Sequence, residues 1–367
     1  MGKKIIVCVI SDLVTDQRVL KECATLHTDG YEVLLIGRRS TRDWNTAALP
    51  YSTKRLTVPF KRGVLMYVYF NLLLFFHLLF SPSAIYWSND LDTLLPAFLV
   101  SRLKQKPLVY DSHEYFTESV VNPVAKKVWS FLERLLFPRL KNVITVNASI
   151  KDVYEKKYRV PVTIIRNVPL QLPPPPDVPI LFPGKKMLLI QGMGINENRG
   201  AEEAVTMMEF LPADFILCFI GSGTVINKLK EMSRQHRLQA RVHFIDPLPY
   251  ASMMSYTRQA YLGLNFEKIG ISDQHLFSLP NKFFDFIHAG VPVLSTRAVE
   301  VEALIKKYDT GFFVDDTNPR HLAEAIMAIA QDPIRYEEYK HNTSNAAAQL
   351  NWQQEEKILT DFMSRIR

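Results

Sequence analysis

Short apolar runs alternate along this chain with stretches whose apolar residues recur every three to four positions. "KKIIVCVI", "YEVLLIG", "AIYWS", "PLVYDSH", "NVITVN" and "VTIIRN" read as buried strands separated by helices; in 124–136, Val124, Val128, Phe131, Leu132 and Leu135 fall on one helical face. Strand alternating with helix predicts a parallel α/β sheet. The alternation stops at "NVPLQLPPPPDVPILFPG" (167–184), whose prolines exclude helix and central strand and predict a stiff extended connector. It restarts with "KKMLLIQG", "FILCFIGSG", "RVHFID", "AYLGLNF", "VPVLST" and "GFFVDD". The expected fold is α/β: two doubly wound, Rossmann-like domains, 1–166 and 185–350, joined by the 167–184 linker and facing each other across a cleft at the carboxyl ends of their strands. Residues 351–367 are expected to form a C-terminal helix that packs back toward the first domain.

Composition adds material and charge to this picture. A chain of 367 residues that is 47% hydrophobic has enough apolar content for two cores. Its net charge of +7 is uneven: residues 1–166 hold 24 basic and 14 acidic side chains, the remainder 20 and 23. A basic first half points to an anionic partner, a membrane surface or a phosphate-bearing ligand, unless its lysines are simply solvated. The chain shows no recognition helix, zinc finger or RNA-binding sheet motif, so nucleic acid is not an expected partner. Three cysteines, Cys8, Cys23 and Cys218, are odd in number, and two of them lie in strand-like apolar runs, which fits a reducing compartment. The start "MGKKIIVCVISD" has an apolar stretch too short for a signal peptide, and Ile6 stands where a myristoylation signal needs Ser or Thr. The segment "VLMYVYFNLLLFFHLLF" (64–80) follows Lys61 and Arg62 and is apolar around the whole helix except for Asn71, His77 and the tyrosine hydroxyls. It is short for a span; the expectation is a helix packed in the first domain, with one lying in the bilayer interface as the alternative.

Candidate chemistry clusters where strands end. "QGMGINENRG" (191–200) and "GSGT" (221–224) each follow a strand and precede a helix, so backbone amides at Gly194, Gly221 and Gly223, together with Arg199, form a candidate anion cradle. Neither is a strict dinucleotide or Walker motif, and such glycines serve equally as plain turns. In the first domain, Asp16, Gln17 and Arg18 stand where a loop becomes a helix, and Asp111, His113 and Glu114 stand just past a strand. "FSLPNKFFDFIHAGVPVLS" (277–295) predicts a helix with Ser278 as N-cap and Pro280 in its first turn, ending at Gly290. Asn281 and Lys282 would then sit at the positive end of the helix dipole, suited to a diphosphate, and Asp285, one turn deeper, would suit a ribose diol. A plain Lys282–Asp285 ion pair is the structural alternative. In "NDLD" (89–92) Asp92 reads as the N-cap of the following helix rather than as half of a metal-binding pair, and no metal site is expected.

At "FDFIHAGVPVLS", followed by "RAVEVEALIKKYDTGFFVDDTNPRHLAEAI", the chain resembles the GT-B glycosyltransferases, in particular the large retaining family with a Glu-x7-Glu motif. "LPNK" resembles a bacterial variant, and "TDQRVLKECATLHTDGYEVLLIGRR", "YDSHEYF" and "RNVP" resemble the family's first strand-helix-strand unit, acceptor-side His segment and pre-linker turn. The resemblance implies retaining transfer of a sugar from a nucleoside diphosphate sugar to a glycan or lipid-linked acceptor in cell-surface polysaccharide, lipopolysaccharide or glycoconjugate assembly. It implies no cofactor and no required metal. The charge split, with Lys61, Arg62, Lys126 and Lys127 flanking apolar helices, predicts a cytoplasmic enzyme attached peripherally to the inner membrane face through its first domain, which a lipid-linked acceptor would fit. Carried over, Arg199 and Lys282 match the diphosphate-holding positions, Asp285 the ribose contact, Gly194, Gly221, Gly223, Ser278 and Asn281 the donor loops, and Asp16, Arg18, His113 and Glu114 the acceptor side, with His113 near the transferred sugar. Two departures stand out: Phe277 occupies the place of the first Glu, and Val14-Thr15-Asp16 replaces a Gly-Gly turn. The chemistry implied is electrostatic, fixed cations and helix amides meeting the charge that develops on the β-phosphate. A sugar-nucleotide epimerase of the same architecture, which would consume donor without acceptor, and a catalytically silent membrane scaffold, which would fail to bind donor, are the rival readings.

Overall fold

The structure is a computed structural model, described here for residues 3–11, 13, 16–39, 49–120, 122–173 and 177–366. Gly2, the Val14-Thr15 pair and prolines 174–176 lie outside the described residues. The chain divides into two compact units: unit 1 comprises Met1–Asn167 with Trp352–Arg367, and unit 2 comprises Val168–Asn351.

Unit 1 is a parallel sheet of seven strands: β1 (Lys4–Cys8), β2 (Glu32–Arg38), β3 (Ser52–Leu56), β4 (Ile85–Asn89), β5 (Leu108–Ser112), β6 (Asn142–Thr145) and β7 (Val162–Ile164), in the order β3-β2-β1-β4-β5-β6-β7. The central β4 and β5 are buried along their whole length, as strands covered by helices on both faces must be. Strand β3 was not expected. Its residues STKRL alternate polar and half-buried positions without an apolar run, because it sits at the sheet edge and buries little. Unit 2 is a parallel sheet of six strands: β8 (Lys186–Gly192), β9 (Phe215–Gly221), β10 (Val242–Ile245), β11 (Leu262–Asn265), β12 (Val293–Thr296) and β13 (Gly311–Val314), in the order β10-β9-β8-β11-β12-β13. Between β7 and β8 the described residues form no helix or strand.

Helix termini correct two of the expectations. Asp92 is not an N-cap: the helix Leu91–Lys104 starts one residue after Asp90, which takes the capping position, and Asp92 is buried in the first turn. Ser278 is not an N-cap either; the helix Asn281–His288 begins after Pro280, and no side chain caps it. The helix Pro123–Leu136, capped by Asn122 whose Oδ1 accepts from the amides of Val124 and Ala125 at 3.0 Å, turns Val124, Val128, Phe131 and Leu135 to the outside. Its buried side instead carries Glu133, which accepts from Lys157 Nζ at 2.9 Å and the Tyr158 hydroxyl at 2.5 Å.

The last helix, Trp352–Ser364, completes the core of unit 1. Trp352 is buried among Val19, Cys23, Leu26 and Leu359, and its Nε1 donates to Thr25 Oγ1 at 3.0 Å. Arg166 N donates to Glu355 Oε2 at 2.9 Å, tying the same helix to the end of the unit's first segment. Truncating so large a buried side chain removes both its transfer free energy and its packing partners. Trp352→Ala is expected to lower the unfolding free energy of unit 1 by about 3–5 kcal/mol, read as a shifted midpoint in denaturant titration with the unit 2 transition unmoved.

Candidate functional site

In each sheet the strand order reverses beside the first strand, between β1 and β4 in unit 1 and between β8 and β11 in unit 2. At such a point the two outgoing connections leave toward opposite faces and open a crevice beyond the carboxyl ends of the strands. A cluster of polar residues lies at each of these ends.

In unit 2 the loop after β8 is built against two neighbours. Toward β9, Ile195 N donates to Ser222 O and Ser222 N to Gly192 O, both at 3.1 Å, while Asn196 Oδ1 accepts from Thr224 N at 3.0 Å. A Cβ on Gly221 would lie 2.0 Å from Gly192 O and one on Gly223 would lie 1.9 Å from Ile195 O. These two glycines are therefore required by contact between the loops, and their service to a ligand is to hold the Gly194–Arg199 loop in place. Gly194 itself faces open space, its nearest neighbours being Arg199 and Asn196. Toward β11, Lys268 N donates to Asn198 O at 2.9 Å, and Gly200, with φ of +66°, leaves no room for a Cβ against Phe266. This close approach brings Arg199 Nη1 to 3.4 Å from Glu267 Oε1.

Glu267 is the residue that the pattern of strands and loops did not single out. It is 1% exposed, and among the described residues neither carboxylate oxygen has a hydrogen-bond partner; Arg199 and, at 4.0 Å, His275 Nε2 come near it. Its signal in sequence was the one that marked His113, a charged residue just past the end of a strand. Lys282, at the uncapped helix start, sits in the field of the same two residues: burial pushes its pKa down to about 8, Glu267 pulling it up and Arg199 pressing it further down. Asp285 is 7% exposed, with Oδ1 accepting from the Tyr250 hydroxyl at 2.9 Å and Oδ2 from Gln191 Nε2 at 3.3 Å. Gln191, at the end of β8, accepts in turn from Thr257 Oγ1 at 2.7 Å. The charge of Lys282 is thus influenced by Glu267 and Arg199, while Asp285 anchors a neutral network. Asn281 is exposed, and Ser278 is half-buried ahead of the helix.

In unit 1 the equivalent crevice is crowded with acids. His113 Nε2 lies 3.1 Å from both Asn89 Oδ1 and Asp111 Oδ2, and its Nδ1 lies 3.6 Å from Asp90 Oδ2 and 3.9 Å from Asp16 Oδ2. Burial would depress its pKa, but Asp90, Asp111 and Asp16 outweigh that and raise it to about 10, so the ring is an imidazolium at neutral pH. Asp90 is held with φ of +56°, a strained value for a residue with a side chain, by a bond from its amide to Asp111 O at 2.8 Å and one from His113 N to its Oδ1 at 2.9 Å. Burial raises its pKa to about 6 despite the imidazolium. Asp16 caps its helix through Val19 N, and Glu114 lies half-buried, close enough for its charge to raise Asp90 further.

Arg18 does not face a ligand. It is 1% exposed, with Nε and Nη2 donating to Asp111 at 2.9 and 2.8 Å, Nη1 to Ile165 O at 2.7 Å, and Nε 2.9 Å from Glu22 Oε1. It supports His113 from beneath by fixing Asp111, whose carboxyl, although buried, is held well below its ordinary range by Arg18 and His113. Glu22, Asp111 and His113 bring ligand atoms within 4.8 Å of one another, but the Arg18 guanidinium already bonds two of the three, and a metal ion would have to displace it.

Residues 17–168 match the family model Glycosyltransferase Family 4, and residues 179–349 match Glycosyl transferases group 1. With two parallel-sheet α/β domains carrying these matches, the chain is a glycosyltransferase of the GT-B fold. Its fold is similar to that of sucrose-phosphate synthase from Thermosynechococcus elongatus, at a TM-score of 0.77 and 15% identity over 99% of this chain and 98% of that one. HepE from Anabaena in complex with UDP-glucose is similar at 0.76 and 13% over the whole of both chains. WaaG, a glycosyltransferase involved in lipopolysaccharide biosynthesis, is similar at 0.70 and 15% over 98% of this chain and 100% of that one. No curated protein sequence matches the chain.

The mutual influence of Arg199, Glu267 and Lys282 sets a titration. Lysine Cε resonances followed by NMR are expected to show Lys282 titrating with a midpoint near 8. Glu267→Gln, which removes the stabilising carboxylate, moves the midpoint down, and Arg199→Ala, which removes the repelling cation, moves it up.

Proposed function

We propose that the protein is a retaining glycosyltransferase that takes a sugar from a nucleoside diphosphate sugar and passes it to a glycan or lipid-linked acceptor, in the assembly of cell-surface polysaccharide, lipopolysaccharide or a related glycoconjugate. The observation that carries the donor side is the pair of cations, Arg199 and Lys282, set at one crevice with an uncapped helix start beside them. A diphosphate is the ligand such a site favours: it pairs with two cations and accepts from free helix amides at once. The UDP-glucose complex of HepE supports the same choice of donor class. Resemblance to the retaining Glu-x7-Glu family, with Asp285 for its second Glu, supports retention and a ribose contact.

The catalytic roles follow from charge. As the glycosidic bond to the β-phosphate breaks, the sugar becomes oxocarbenium-like and the leaving diphosphate gains negative charge, which Arg199, Lys282 and the helix start meet without reorganising. The resident cations supply that charge stabilisation, so this reading assigns the enzyme no metal or other cofactor. Glu267 keeps the two cations ordered before the donor arrives, and its unpartnered oxygens give the site an acidic contact for sugar hydroxyls where Phe277 offers none. His113 is a fixed imidazolium in unit 1, able to donate to a sugar or acceptor oxygen, with Asp16 and Glu114 beside it as acceptors. We place the enzyme on the cytoplasmic side of the membrane, as a peripheral protein.

If Lys282 meets the developing charge, Lys282→Ala is expected to lower turnover by about 10² or more while leaving the fold intact. Asp285→Asn is expected to raise the donor's KM more than it lowers kcat, as lost uniform binding does. Near-wild-type kinetics in both variants would remove this helix start from the active site. Proton NMR of the product's anomeric signal against the donor's decides retention: an inverted product overturns it. Donor consumed without acceptor would turn the reading toward a sugar-nucleotide epimerase, and absence of donor binding by calorimetry would turn it toward a silent scaffold.

A further inference from the structure

The helix Val64–Phe80 of unit 1 is built inside out for a surface helix. Its inner side buries Met66, Phe70, Leu74 and Leu78, yet its outer side is also apolar, with Leu65, Val68, Leu72, Phe76 and Phe80 exposed, Phe80 at 81%. The two polar residues that would ordinarily face water are turned to protein: Asn71 Nδ2 donates to the carbonyls of Tyr67 and Asp92, both at 2.9 Å, and His77 Nε2 lies 3.4 Å from Ser81 Oγ. The helix Leu91–Lys104 packs against this helix and against Pro123–Leu136, and Trp129 meets Tyr67 edge-to-face at 5.3 Å. The second outer stripe, Val124, Val128, Phe131 and Leu135, therefore belongs to the same region of unit 1, with Phe131 63% exposed. So large a concentration of exposed apolar side chains is a marker of an interaction surface.

Its border is basic. Lys61 and Arg62 precede the first helix, and Lys127 and Arg134 flank the apolar stripe of the second, all of them exposed. Beyond Leu135, a pocket of about 430 Å³ is lined by Arg102, Lys106, Arg139, Lys141 and Arg365, with no carboxylate among the described lining residues, although Asp361 pairs with Arg365 at 2.8 Å. Arg139 donates to the Leu135 carbonyl, and Arg102 Nη2 donates to Arg139 O at 3.2 Å, so the pocket adjoins the apolar stripe. The exposed Leu99 and Leu103 stand on either side of Arg102 along its helix.

We propose that this face of unit 1 docks on an anionic lipid bilayer, with the helix Val64–Phe80 lying along the interface, its outer side among the acyl chains, and the basic pocket receiving a lipid headgroup phosphate. An apolar stripe bordered by cations fits the boundary between acyl chains and anionic headgroups. The helix lies along the membrane and does not cross it: its 17 residues extend about 26 Å, and no helix among the described residues is long and apolar enough to span. A second copy of the chain is the poorer occupant, because a two-fold contact would set the basic border against itself around an apolar seam. The proposal names the membrane partner of the transfer reading, but it rests on the surface of unit 1 alone and is tested without donor or acceptor.

The test is sedimentation of the full chain with vesicles of phosphatidylcholine, with and without phosphatidylglycerol, at low and at physiological salt. Wild type is expected to bind the phosphatidylglycerol vesicles, and Leu72→Asp combined with Phe76→Asp is expected to weaken that binding by about tenfold or more, with an unchanged circular dichroism spectrum and melt. Lys106→Ala combined with Lys141→Ala is expected to lose much of the preference for phosphatidylglycerol. No binding of wild type at low salt, or unaltered binding by the aspartate pair, overturns the docking face. Unaltered preference in the lysine pair overturns the headgroup pocket. A dimer that the aspartate pair converts to monomer, without vesicle binding by wild type, gives the face to a second copy and also overturns the proposal.

Discussion

Everything chemically active in this molecule depends on one topological constraint, the reversal of strand order beside the first strand of each parallel sheet. A right-handed crossover has to place its helix on one face if the chain steps one way along the sheet and on the other face if it steps back. The connections that follow β1 and β4, and β8 and β11, thereby leave toward opposite faces, and side chains at those strand ends meet. His113, Asp90 and Asp16 gather at one such point, and Arg199, Glu267 and Lys282 at the other.

The two crevices resolve the cost of buried charge in opposite ways. In unit 1, carboxylates predominate, and the molecule answers with a fully sunk guanidinium bonded to two of them and an imidazole that keeps its proton. Arg18 and His113 hold Asp111 firmly, while among the described residues both Glu22 oxygens stay buried without a hydrogen bond, and Asp90 is kept in a backbone conformation that an isolated residue would leave. In unit 2, two cations share one carboxylate, which no hydrogen bond satisfies. Burial, and after it the nearby Arg199, makes the charged form of Lys282 costly.

Much of the architecture was legible because burial on both faces of a parallel sheet forces short, mainly apolar strands, a form that the edge strand β3 lacks. Strand ends likewise drew attention to His113 and Arg199, and a helix start to Lys282. What escaped was set by tertiary contact. Arg18 at a helix start looks ligand-facing until Asp111, far along the sequence, is placed beneath it. Gly221 and Gly223 look like phosphate-loop glycines until the neighbouring loop's carbonyls are seen at their Cα atoms. The apolar face of 124–136 has the periodicity of a core helix, and periodicity alone does not say whether the medium that receives it is protein or something else.

The placement of Trp352 in the core of unit 1 has a consequence for how the chain is made. A ribosome delivers the first 167 residues, then all of unit 2, and only then the helix that fills the space beside Val19, Cys23 and Leu26. At ordinary elongation rates of about 5–20 residues per second, unit 1 waits on the order of ten seconds or more with that apolar side uncovered, while unit 2 has already been synthesised in full. Sequence order and folding order are thus inverted: the domain that begins the chain is the last to be finished, and its newborn surface is the one that cellular folding factors have most time to meet.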